Sequence, residues 1–212
     1  MGARNTAIGA DQNWEDPEHV AAFWRWFKKN RMRIERLALG DQDQLQVYKE
    51  MTRRMHAFHP SIYPELSVDE KEYILVVTAD GRTEGIDPVM HFTELYPVIE
   101  GWRIQRFRKP VNDPYAVFEY QDLICALEEV RVAYVMDEVE KKVHVALVID
   151  GPSRDDIRWH GMLYLLLDHA IGEFNTMMHV GGLDLMTVEE LPPEAPLITL
   201  DELRVVFEEA FY

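Results

Sequence analysis

Residues 73–81 read Tyr73-Ile74-Leu75-Val76-Val77-Thr78-Ala79-Asp80-Gly81. The run from Tyr73 to Ala79 is aromatic, β-branched or apolar throughout, and Asp80-Gly81 is a turn pair. It lacks the alternation of a strand with one wet face, so it predicts a central strand covered on both sides. Upstream of it the apolar residues recur at helical spacing. Downstream, strand-like and helix-like segments mix. That change of period decides the fold class.

Working upstream, Val20, Phe23, Trp24, Phe27, Ile34 and Leu37 form an apolar stripe that predicts a helix running to about Leu39. Asp16 can cap it, Pro17 suits the first helical position, and Glu18 faces the positive end of the dipole. Gly40 ends it. A second helix is expected from about Asp43 to Phe58, with Leu45, Tyr48, Met51, Thr52 and Met55 on one face. His59-Pro60 stops it, because a residue before proline avoids the helical region. Residues 1–13 read as a flexible tail.

Downstream, Asp87-Pro88 opens a short helix expected to reach Val98, and Gly101 leads into a strand from Trp102 to Arg108. Val130 to Val139 and Lys142 to Ile149 flank Glu140-Lys141 and read as a hairpin. A long helix is expected from Arg154 to Ile171, ended by Gly172. Glu173 to Val180 and Leu183 to Val188 read as a second hairpin turning at Gly181-Gly182. Leu191 to Pro196 reads as a loop. A final helix over Asp201 to Ala210 is capped by Thr199 or Asp201. These elements predict one α+β domain over 14–212: a mostly antiparallel sheet with helices packed on it, preceded by an N-terminal helical pair.

Charge narrows the choice of partners. The chain has 22 Lys and Arg against 38 Asp and Glu, a net of −16. Residues 18–54 carry nine basic and five acidic residues, a net of +4, and residues 119–212 carry six and twenty, a net of −14. A surface that acidic repels phosphate backbones, so no nucleic-acid partner is expected. The longest apolar run, Met162 to Leu167, falls far short of the ~20 residues a membrane helix needs, so no membrane partner is expected. The first residues have no basic segment followed by an apolar core, which leads to an expected cytoplasmic location. Cys125 is the sole cysteine and has no partner for an intrachain disulfide. There is no phosphate-binding glycine loop or dinucleotide fingerprint, and no cofactor is expected.

Four groups of residues could carry function. Asp168, His169 and Glu173 end the most apolar helix, and paired carboxylates can do acid–base work or hold a cation. A structural reading competes with this: a buried Asp168 demands a partner, best supplied by Arg103, Arg106 or Arg108. His56 and His59, three residues apart, have a spacing that can hold a metal, with Glu65 as a third ligand. Trp24 and Trp26 cannot share a helix face, so one of them is expected at a second contact surface for a protein partner or a second copy. Cys125 lies in the apolar stretch Leu123 to Leu127, a setting that raises a thiol pKa and disfavours a nucleophile.

Several phrases in this order carry a resemblance: Phe23-Trp24-Arg25-Trp26-Phe27 with Asn30, His59-Pro60, Thr78-Ala79-Asp80-Gly81, Gly101-Trp102 with Arg106-Phe107-Arg108, and Leu166-Leu167-Asp168 with Gly172-Glu173. Across most of residues 20–200 the chain resembles a family of uncharacterised bacterial proteins of about this length, with no established activity. The resemblance implies a bacterial cytoplasmic domain and transfers no catalytic role. The functional expectation is an acidic domain acting through protein–protein contacts, regulatory or immunity-like, with a homodimer as one form of contact. The alternative is a small carboxylate-dependent hydrolase using Asp168 and Glu173, with or without a metal held by His56 or His59.

Overall fold

The computed structural model describes residues 16–69, 72–111, 113, 115–151, 155–191 and 196–212. The expected tail over 1–13, the expected helix start at Arg154 and most of the loop over 191–196 lie outside these residues. The chain groups into two compact units. The first holds residues up to Asp80 together with Glu84–Arg106, and the second holds Gly81–Thr83 and Phe107–Tyr212.

In the first unit, α1 spans Pro17–Ala38 and α2 spans Leu45–Phe58. The Asp16 carboxylate accepts from Glu18 N at 2.9 Å, which satisfies one of the unpaired donors of the first turn. Gly40, at φ +92°, follows the C-terminus of α1. A 3-10 turn over Gln42–Gln44 precedes α2. The inward face of α2 is Val47, Met51, Met55 and Phe58, with Leu45 and Tyr48 outside, so the expected face is rotated. Three strands follow: β1 (Tyr63–Val68), β2 (Tyr73–Thr78) and, after α3 (Ile86–Glu94), β3 (Trp102–Arg106). β2 is central, antiparallel to β1 and parallel to β3. The core gathers Phe23, Trp24, Phe27, Phe58 and Phe92, with Trp102 edge-on to Phe27 at 4.9 Å. β1 escapes a sequence reading because Pro64 interrupts it. Proline is tolerated there because β1 is an edge strand with β2 on one side only.

In the second unit, β4 (Val117–Tyr120) and β5 (Leu123–Ala126) form a two-stranded hairpin. Gln121 and Asp122, both at positive φ, make its turn. β6 (Arg131–Asp137) and β7 (Lys142–Val148) form the expected antiparallel hairpin. α4 runs Arg158–Ile171, α5 Glu173–His179, β8 Val180–Met186 and α6 Leu200–Phe211. Thr199 is the cap of α6, in a capping box with Glu202.

The second predicted hairpin is not formed. Glu173–His179 is helix, and β8 lies parallel to β7 at the end of a crossover through α4 and α5. Gly181 and Gly182 sit inside β8, not in a turn. A Cβ on Gly181 would lie 2.8 Å from the Lys142 Cβ, and one on Gly182 would lie 2.9 Å from His144 Nδ1. The glycines therefore serve close approach of side chains from β7.

Each unit thus contains a three-stranded sheet of the same plan, an antiparallel pair extended by a parallel strand after a helical crossover. The fold is α+β with an N-terminal helical pair, as expected. Among the described residues its strands are divided among three small, mostly antiparallel sheets instead of one. Among the described residues no helix is long and apolar enough to cross a membrane.

Candidate functional site

α4 buries Trp159, Met162, Leu163, Leu166 and Leu167 and carries Asp168 into the same interior one turn from its end. Gly172, at φ +87°, then lets the chain break and restart as α5. A Cβ there would also press on Pro110 Cδ at 3.0 Å. The restart turns Glu173 inward. Asp168 and Glu173 are both buried, Glu173 with no exposed surface at all.

Both carboxylates are occupied. Asp168 Oδ2 lies 3.2 Å from Arg108 Nη1. Glu173 Oε2 accepts from the backbone N–H of Arg108 at 2.9 Å, and Oε1 accepts from that of Gly81 at 3.5 Å. The N–H of Glu173 in turn donates to the Arg108 carbonyl at 3.1 Å. Thr176 donates through N–H and Oγ1 to the Gly172 carbonyl, which fixes the first turn of α5. Burial and the neighbouring negative charge of Glu173 push the Asp168 carboxyl up to about 6, against the downward pull of Arg108 and Thr176.

Of the three arginines considered for Asp168, Arg108 makes the pair. Arg103 binds Asp69 and Glu72 at 3.0 and 2.8 Å, and Arg106 donates to Thr93 Oγ1 at 2.8 Å. The His169 ring packs on Phe118, centroids 4.1 Å apart, and its carbonyl accepts from Val111 N.

The two histidines do not form a metal centre with Glu65. The His56 ring meets Tyr63 edge-on at 4.7 Å, and His59 Nδ1 accepts from Ser61 N at 3.2 Å. Burial lowers the His59 pKa, with Glu84 opposing. Among the described residues no group of three or more His, Cys, Asp or Glu is arranged to hold a metal ion. Cys125 is buried, and burial together with the charge of Glu129 pushes its thiol up to about 11, far from the thiolate a nucleophile requires.

The tryptophans part company, as their spacing requires. Trp24 is 3% exposed and belongs to the core, against Phe23, Phe27 and Phe92. Trp26 is half-buried and lies under the Arg54 guanidinium of α2, 5.2 Å from the ring centroid. Close by, α1 and α2 border a cleft of about 270 Å³. Ala22, Phe23, Ala57 and Phe58 give it apolar walls, and His19, Arg53 and Arg54 give it polar ones. Sequence reasoning missed this cleft. The available signal was the Arg53-Arg54 pair falling beside the Trp26 face of a helical hairpin.

Glu50 sets the charge of that wall. Its carboxylate pairs with Arg53 Nε at 2.8 Å and with Arg54 Nε at 2.7 Å. Arg53 above all, with Arg54, holds the Glu50 carboxyl down at about 2. Comparison of the chain with protein-family models, with curated proteins and with solved structures gives no match.

Proposed function

We propose that this is an acidic cytoplasmic bacterial domain that acts through protein–protein contacts, in a regulatory or immunity-like role, and not as an enzyme. The observation that carries this reading is the state of the two best catalytic candidates. Asp168 is sealed against Arg108, and each oxygen of Glu173 accepts a backbone N–H. Carboxylates committed in this way are the connectors of a fold. One surface feature suited to contacts is the α1–α2 cleft, where aromatic and guanidinium groups meet; such groups dominate binding hot spots. Self-association as a homodimer falls within the same reading.

The hydrolase reading has one observation in its favour, the Asp168 carboxyl at about 6, a value suited to acid–base work near neutral pH. One experiment separates the two. The chain and its Asp168→Asn variant are assayed against chromogenic esters, phosphoesters and amides, and the chain is panned against a phage library of random peptides. The contact reading expects enriched peptides and no turnover that depends on Asp168. Turnover abolished in Asp168→Asn at unchanged Tm would replace it with the hydrolase.

A further inference from the structure

We infer that the α1–α2 cleft receives an acidic, amphipathic segment of a partner protein, with one large apolar side chain seated between Phe23 and Phe58 and its carboxylates on Arg53 and Arg54. The inference rests on the contact reading above and names its partner class.

Three observations carry it. The first is size. At about 270 Å³ the cleft lies just below the range of roughly 300–1,000 Å³ typical of small-molecule sites, and suits an anchoring side chain. The second is charge. Two guanidiniums share the single carboxylate of Glu50, so among these three side chains positive charge exceeds negative by one. This sits within the basic island of the chain, +4 over residues 18–54 in a molecule of −16. A carboxylate ligand is matched to that wall, and a basic one is repelled. The third is preorganisation. Arg53 is held in a two-bond fork with Glu50, at 2.8 Å each, and Arg54 is laid on Trp26. Guanidiniums fixed in place lose little freedom when they bind a carboxylate. Two neighbouring helices with an apolar seam present the groove that an amphipathic helix fills.

Other occupants fit less well. A nucleic acid would bring its phosphates to a molecule of net charge −16. A second copy would have to offer its acidic residues 119–212 to the basic cleft of the first. Two copies each carry −16, so their overall charges oppose the approach.

The test uses the full chain and the random-peptide library. Enriched peptides are synthesised with a fluorophore and titrated by anisotropy against the chain, Ala57→Trp and Arg53→Glu. Ala57 and Arg53 are exposed on α2, and unchanged Tm checks that each variant folds. The expected peptides combine Asp or Glu with one large apolar residue. They should bind at least tenfold more weakly to each variant, and Lys-for-Glu versions should lose binding by a similar factor. Peptides that are neutral or basic, or that bind Ala57→Trp as well as the parent, would overturn the cleft assignment while leaving the contact reading standing. A dimer in light scattering that Ala57→Trp and Arg53→Glu both dissolve would assign the cleft to a second copy and overturn the partner claim. A library that yields no binder, with the chain monomeric at high micromolar concentration, would overturn both the assignment and the contact reading.

Discussion

Arg108 and Glu173 grip each other through reciprocal backbone bonds. Arg108 N–H donates to Glu173 Oε2 at 2.9 Å, and Glu173 N–H donates to the Arg108 carbonyl at 3.1 Å. The guanidinium of the same arginine reaches Asp168, five residues before Glu173 on the preceding helix. One residue thus ties together the end of α4 and the start of α5. With both carboxylates buried, each bond counts for more than it would on the surface, because the alternative is a desolvated group with no partner.

The raised Asp168 carboxyl has a definite signature in stability. Its value in the fold, about 6, lies above the ordinary 3.8. The native state therefore holds the proton more tightly than the unfolded chain does. That contribution is fully present below pH ~4 and is lost as pH rises through 6, an effect of about 3 kcal/mol. Asp168→Asn keeps the shape and never ionises. Urea unfolding at pH 4 and pH 7 should show Asp168→Asn gaining on the parent by roughly that amount at the higher pH. An equal gap at both values would show that Asp168 titrates at its ordinary position.

Glu173→Gln is isosteric but places an amide NH2 where an oxygen now accepts an N–H. Gln can satisfy one of the Arg108 and Gly81 donors and opposes the other. A loss of about 2 kcal/mol is expected from chemical denaturation. The same change removes a negative charge beside Asp168, so carbon-detected NMR should find the Asp168 carboxyl titrating below its parent value. An unchanged titration would mean that burial alone raises it.

Gly161 faces Tyr120 so closely that a Cβ would overlap the ring. Gly161→Ala should therefore cost on the order of 1–3 kcal/mol although alanine favours helix. Adding Tyr120→Leu should recover part of the loss. A Gly161→Ala protein more stable than the parent would show that the hairpin β4–β5 does not pack on α4 at that point.

What the sequence made legible was local. The stretch from Asp16 to Gly40 spelled out α1 because its cap, first-turn proline and terminating glycine are all neighbours of the helix they define. β2 was legible because a strand covered on both faces reads as a nearly continuous apolar and β-branched run. β1 was hidden by Pro64. β8 was hidden because two glycines signal a turn unless the side chains that crowd them, Lys142 and His144, are known. The same division holds for the site. An Arg partner for Asp168 could be inferred, since a buried acid at a helix C-terminus requires one. The hold of Glu173 on the backbone of Gly81 could not, because a backbone donor 92 residues away leaves no mark in side-chain pattern. The α1–α2 cleft depended on how two helices pack, which periodicity does not specify.

The central claim is that Asp168 and Arg108 hold the fold and do not perform chemistry. A double-mutant cycle by urea unfolding at pH 7 tests it most directly, with Asp168→Ala, Arg108→Ala and the double variant. The account predicts that each single change is clearly destabilising and that the two are coupled by about 1–3 kcal/mol, the double variant losing less than the sum. Coupling near zero, with Asp168→Ala as stable as the parent but stripped of a ligand or a turnover, would contradict it.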